Sequence, residues 1–258
     1  MSFGVLDGDG QVAQIEGHPF GQLAFTGARF ARADVRLLSP ILPSKVVCVG
    51  KNYAAHVAEM NTGDAPKEPL LFLKPSTAVI GPGDAIRIPP GSTNVHHEAE
   101  LGVVIGARGA RNVSPQQAGA SIFGYTIGND VTERDMQKSD GQWTRAKGFD
   151  SFCPIGPWIE TDLPAIGLDP ADLEVTCTVD GEPRQHGRTS QLIFDVPTLI
   201  SYISRVMTLL PGDVVLTGTP SGVGPISPGQ SVDVTIQGLG TLTNSVTAAD
   251  AVSTATAR

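Results

Sequence analysis

The chain has 258 residues, 40% hydrophobic and 17% charged, which suits one large globular domain or a domain with a small appendage. Its net charge of −8, its pI near 5.0 and the lack of a basic stripe argue against nucleic acid or an anionic membrane as the main partner. Met1–Asp9 has no basic leader, no apolar run approaches bilayer length, and Cys48, Cys153 and Cys177 fit no zinc or redox spacing, so a cytoplasmic protein with inert thiols is expected.

Thirty glycines and twenty prolines break the chain into short apolar runs. That pattern predicts a mainly β fold with few short helices. Residues 1–42 read as a small β-rich leader ending at Ser39-Pro40-Ile41-Leu42-Pro43, and residues 43–258 as the main domain. Lys45–Gly50 reads as a buried strand. Asn52 is placed to cap a short helix running to Met60. Gly63, Pro66 and Pro69 mark a loop before the apolar run Leu70–Leu73. Two further strand-like stretches follow, an apolar run ending at Ile105 and the stretch Ile122–Asp130, then Leu173–Val179. Val196, Leu199, Ile200, Ile203 and Val206 recur at helical spacing between Asp195 and Met207, with Pro197 suited to a first turn. Strands are expected over Asp213–Leu216 and Ser231–Ile236, and the Ala- and Thr-rich tail from Ala248 is expected to fray.

The most informative stretch is His96-His97-Glu98-Ala99-Glu100, at the entrance to a strand. Side chains two apart on a strand share a face, so Glu98 and Glu100 point the same way and repel unless a cation lies between them. Asp130 ends the next apolar run, and Gly124 and Gly128 leave room beside it or mark a close backbone approach. Three carboxylates without paired cysteines suit a hard divalent ion, Mg²⁺ or Mn²⁺, over zinc. A mixed zinc or iron site using His96 is a minor alternative, and acids merely decorating an exposed strand are another.

His56 and Glu59 are three apart on the expected helix, as an imidazole and its orienting carboxylate would be in a general base, or as an exposed ion pair. Lys74, Arg134 and Lys147 are cations close in sequence to these pieces, with Lys147 the first choice for an anionic substrate's partner. The loop Leu216–Pro225 is rich in glycine and lacks a Walker ending; its functional reading uses Thr219 and backbone N–H groups to hold a carboxylate.

Together, Val49-Gly50-Lys51-Asn52-Tyr53-Ala54-Ala55-His56, Phe72-Leu73-Lys74-Pro75, His97-Glu98-Ala99-Glu100-Leu101, Gly124–Val131, Arg145–Asp150 and Leu216–Gly224 resemble the fumarylacetoacetate hydrolase family, from about residue 43 to about 246. The resemblance implies a mixed β-roll preceded by a small leader domain, a homodimer, and Mg²⁺ or Mn²⁺ held by Glu98, Glu100 and Asp130. It also implies a lid pair at His56 and Glu59, a site lysine at Lys147, and a carboxylate-binding loop at Thr219. With Lys74, Arg134 and Gln142 as further substrate contacts, the expected partner is a small 2-oxo acid.

The chemistry common to that family is a metal-stabilised enolate. Hydrolysis of a C–C bond in an acylpyruvate is the expected outcome, with oxaloacetate decarboxylation and isomerisation of 2-hydroxyhepta-2,4-diene-1,7-dioate as alternatives. A metal- and 2-oxo-acid-binding protein without turnover is the alternative of another class.

Overall fold

The computed structural model describes residues 1–60 and 63–250. Two sheets face each other. The first has seven strands in the order Leu70–Lys74, Val46–Gly50, Val214–Leu216, Ala99–Ile105, Ile122–Asn129, Cys153–Glu160, Val79–Ile80. The second has five, in the order Glu182–Arg188, Glu174–Val179, Ser231–Ile236, Gly240–Ala248, Ile86–Ile88. A short three-stranded sheet of Thr132–Glu133, Val95–His97 and Gly224–Pro225 lies at the entrance to the central strand, and Gly4–Leu6, Gln11–Ile15 and Phe25–Ala31 form the leader. This is the mixed, mainly β roll expected.

Alternation along the strands explains why the large sheet is covered on both faces. Val47, Val49, Leu101, Val103 and Ile127 turn toward the second sheet and meet Val175, Cys177, Val232, Val234 and Leu242. Val46, Cys48, Val104, Val214 and Leu216 turn the other way into a smaller core, on which Phe20 of the leader packs. The strand Ala99–Ile105 is consequently buried along its whole length, so Glu100 lies in an apolar interior and is no surface decoration.

The helix Val196–Val206 forms as its spacing predicts, with Asp195 accepting from the Thr198 N–H (2.9 Å) and Leu199, Ile200 and Ile203 fully buried. One helix is unforeseen and two expectations need correction. Residues 134–143, for which the sequence suggests no element, contain the helix Arg134–Ser139, whose first turn is capped by Glu133 accepting from the Met136 N–H at 2.6 Å. The helix Ala54–Met60 forms, but the Asn52 side chain does not cap it. Its amide instead bonds the Thr217 and Phe194 carbonyls (2.8 and 3.0 Å) and accepts from the Phe194 N–H (2.8 Å). Gly124 and Gly128 do not make room for a ligand. A Cβ at the first would strike the Glu160 carbonyl and at the second the Leu216 side chain, so both serve close internal packing. The tail beyond Ala248 lies largely outside the described residues. No described helix is long and apolar enough to cross a membrane.

Candidate active site

Strand register brings the carboxylates together. Ala99–Ile105 pairs antiparallel with Ile122–Asn129 so that Gly128 lies opposite Glu100 and Asn129 opposite Ala99. Glu98 falls in the break between Val95–His97 and Ala99–Ile105, pinned by its N–H to Asn129 Oδ1 (2.9 Å) and by its carbonyl to the Asp130 N–H (2.9 Å). Oxygens of Glu98, Glu100 and Asp130 lie within 4.8 Å of one another, and all three residues are buried.

Three cations are buried beside them. Lys147 donates to Glu98 Oε2 (2.9 Å) and Asp130 Oδ2 (2.6 Å). Arg134 approaches Glu98 Oε1 at 2.5 Å, and Lys74 donates to Asp130 Oδ1 (2.6 Å) and the Val131 carbonyl (3.0 Å). Burial alone would raise the Glu98 carboxyl, but Lys147 and Arg134 hold it well below the ordinary range. Lys147 shifts upward: burial opposes its charge, and Asp130 and Glu98 outweigh that.

Glu100 is different. Among the described residues it has no cationic partner; its contact is the Gly218 N–H at 2.7 Å. Burial, with the Asp130 and Glu98 charges beside it, pushes its carboxyl well above the ordinary range. An all-oxygen cluster in which one carboxylate lacks a counter-charge fits a hard divalent ion, which Glu98, Glu100 and Asp130 would hold. Among the described residues no histidine or cysteine joins this group. His96 instead bonds Asn94 Oδ1 (2.9 Å), and burial, aided by Arg134, lowers it to about 4. The mixed-ligand zinc or iron alternative therefore finds no support in the geometry.

The acids open onto a cavity of about 300 Å³. His56, Val57 and Met60 of the helix Ala54–Met60 line one side, and Phe72 and Trp143 form an aromatic wall with ring centroids 5.2 Å apart. His56 Nδ1 lies 3.3 Å from Glu59 Oε2, while Glu59 Oε1 accepts from the Gly222 N–H at 2.9 Å. The His56–Glu59 pair is thus clasped to the glycine-rich loop. Loop 60–70 includes residues 61 and 62, which lie outside the described residues.

Of the expected substrate contacts, Arg134 and Thr219 reach this cavity. Lys74 does not. It is fully buried behind Asp130, so it sets that carboxylate's position and charge. Gln142 is exposed outside the cavity, whereas Gln137, three residues after Arg134 on the same helix, lines it and accepts from Arg134 Nη1 at 2.8 Å. The Thr219 hydroxyl is already engaged, donating to the Ala99 carbonyl (2.9 Å) and accepting from Gln185 Nε2 (2.7 Å), so its proton is committed within the protein. Sequence reasoning missed Gln137 because the helix was not foreseen. It missed Gln185 because nothing local marks a glutamine on a distant strand.

A family model described as "Fumarylacetoacetate (FAA) hydrolase C-terminal" matches residues 45–247, and one described as "Rv2993c-like, N-terminal" matches residues 1–40. The chain belongs to the fumarylacetoacetate hydrolase family. Within that family it is 56% identical over 252 residues to Protein Rv2993c of Mycobacterium tuberculosis, covering 95% of this chain and 94% of the relative. It is 46% identical over 202 residues to a mitochondrial oxaloacetate decarboxylase of Dictyostelium discoideum, covering 76% and 90%. A crystal structure of 5-carboxymethyl-2-hydroxymuconate delta-isomerase from Mycobacterium smegmatis is 53% identical and superposes with a TM-score of 0.88, covering 96% of this chain and 95% of that one. The Dictyostelium and Mycobacterium smegmatis relatives are named for enzymatic activities, and this chain carries a buried acidic group suited to a divalent metal.

Proposed function

We propose that the chain is a divalent-metal-dependent enzyme that moves a proton between keto and enol forms of a small 2-oxo dicarboxylate. The observation that carries this reading is the charge balance of the site. Glu98, Glu100 and Asp130 are matched in number by Lys74, Lys147 and Arg134, all buried. A divalent ion there leaves a surplus of two positive charges, which a dianionic substrate neutralises. When bound, the ion would act as a Lewis acid that eases removal of the proton next to the 2-oxo group.

The remaining roles fall to the chain. Arg134 and Gln137 at the cavity wall orient a carboxylate, His56 takes and returns the proton, and Glu59 holds the imidazole in place. The apolar walls, Phe72 and Trp143 among them, limit water around the reacting carbon. The decarboxylase and isomerase relatives both need enol chemistry, and neither reaction requires an attacking water, which favours proton transfer over the hydrolysis expected from the sequence. Hydrolysis of acylpyruvates stands as the second reading, because the clasped His56–Glu59 pair is equally suited to orienting a water molecule.

A panel of oxaloacetate, 2-hydroxyhepta-2,4-diene-1,7-dioate and several acylpyruvates, assayed with Mg²⁺ or Mn²⁺ and after chelation, tests the proposal. Metal-dependent isomerisation that falls by about 10²- to 10⁴-fold in His56→Ala supports it. Faster cleavage of an acylpyruvate would replace it with the hydrolase reading. Oxalate binding with no turnover of any compound would replace it with a binding protein.

A further inference from the structure

Gln185 lies on the strand Glu182–Arg188 of the five-stranded sheet, 2% exposed, and every hydrogen-bonding position of its amide is filled. Oε1 accepts from the Ala99 N–H (3.0 Å) and faces His97 Nδ1 (3.0 Å). Nε2 donates to the Pro220 carbonyl (2.8 Å) and Thr219 Oγ1 (2.7 Å). The orientation is fixed twice over: the Pro220 carbonyl can only accept and the Ala99 N–H can only donate. His97 Nδ1 must then be the donor, and because burial favours the neutral imidazole its buried Nε2 has no hydrogen and, among the described residues, no partner.

The two halves of this amide grip two different machines. The oxygen holds Ala99, which stands between Glu98 and Glu100, and His97, which precedes them. The nitrogen holds the middle of the loop 217–222. That loop contributes one N–H to Glu100, from Gly218, and another to Glu59, from Gly222. The strand of Gln185 is also the loop's bed: Gly222 has φ +96° and packs so closely on the Arg184 carbonyl that a Cβ would strike it. The Thr219 hydroxyl closes the circuit by donating to the Ala99 carbonyl.

We propose that Gln185 is a positioning residue that locks the metal carboxylates and the His56–Glu59 pair into one frame through the loop 217–222. It neither lines the cavity nor belongs to the carboxylate cluster. Its role is to keep the proton-transferring imidazole at a fixed place relative to the carboxylate cluster, so that a shift of the loop moves the imidazole while the paired strands hold the carboxylates. The proposal rests on the enzyme reading above only for its effect on rate.

The test compares wild type with Gln185→Leu and Gln185→Glu. The second keeps acceptors for His97 and Ala99 but sets a carboxylate against the Pro220 carbonyl, so it releases the loop while leaving the strand held. Hydrogen exchange of the 54–60 amides is read without substrate, with and without Mn²⁺, alongside Mn²⁺ affinity. In Gln185→Glu we expect exchange in 54–60 to rise about tenfold, Mn²⁺ affinity to change less than threefold, and kcat on whichever panel compound turns over to fall about 10- to 100-fold with little change in KM. Thr219→Val combined with Gln185→Leu should cost less than the two single effects added, because both act through the same loop. Unchanged exchange in 54–60 in Gln185→Glu would overturn the proposal, as would additive effects in the double variant. Absence of turnover across the panel would sink the enzyme reading and leave the exchange result to judge Gln185 alone.

Discussion

Glu100→Gln should stabilise the metal-free protein while abolishing its response to metal. Glu100 is fully buried, its carboxylate lacks a cationic partner among the described residues, and Asp130 and Glu98 both oppose its ionisation. An amide at this position keeps an oxygen to accept from the Gly218 N–H, now 2.7 Å away, and spares the cost of either burying a charge or protonating the carboxyl at neutral pH. Relief of this kind is worth about 1–2 kcal/mol, and at about 2–4 °C per kcal/mol for a chain of this size the metal-free Tm should rise by about 2–8 °C. Wild type gains about 2.7 kcal/mol from an ion at one hundred times its Kd, or about 5–11 °C. The two proteins should therefore exchange rank: the variant melts higher in chelator, and wild type melts higher in saturating Mg²⁺ or Mn²⁺. Thermal melts of both proteins at pH 7.5, with chelator and with added ion, read this directly. A variant that melts lower than wild type in chelator, or that keeps the full metal-dependent rise, would refute the assignment of Glu100 as the uncompensated ligand.

Lys74→Met should cost about 3–5 kcal/mol in urea unfolding, because it strips a buried charge partner from Asp130 and leaves the Val131 carbonyl unpaired; a loss below about 1 kcal/mol would show that Lys147 alone suffices for Asp130. Metal binding should tighten as pH rises. Burial and the neighbouring Asp130 and Glu98 charges shift the Glu100 carboxyl upward, so it holds its proton to higher pH than an ordinary carboxylate, and that proton must leave when the ion enters. Calorimetry in two buffers of different ionisation heat should register release of about one proton per ion near neutral pH. Zero protons released would mean that Glu100 is already ionised.

The acidic group was legible because strand alternation and register are local rules. Glu98 and Glu100 are two residues apart, and an antiparallel neighbour ending at Asn129 brings Asp130 to the same place. The His56–Glu59 pair was legible for the same kind of reason, since three residues on a helix make neighbours. The exchange of Gln142 for Gln137 came from an unseen helix: residues three apart on Arg134–Ser139 meet, and residues in the following loop do not. Lys74 was assigned to substrate because its sequence neighbourhood shows a cation after an apolar strand and cannot show which side of Asp130 it reaches.

The sequence by itself determined the mainly β roll, the family, and the kinds of atom that a metal would meet. Periodicity and residue chemistry are properties of short segments, and both survive in any context that buries the strand. Which charge lacks a partner, and what ties the His56–Glu59 pair to the acids, was decided only in three dimensions. Among the described residues Glu100 is left without a paired cation because Lys74, Lys147 and Arg134, from three separate segments, all converge on Glu98 and Asp130. Gln185 becomes the joint because the second sheet packs a strand against Ala99 from 86 residues away. Hydrogen-bond partners so far apart along the chain are set by sheet packing, and no local pattern records them.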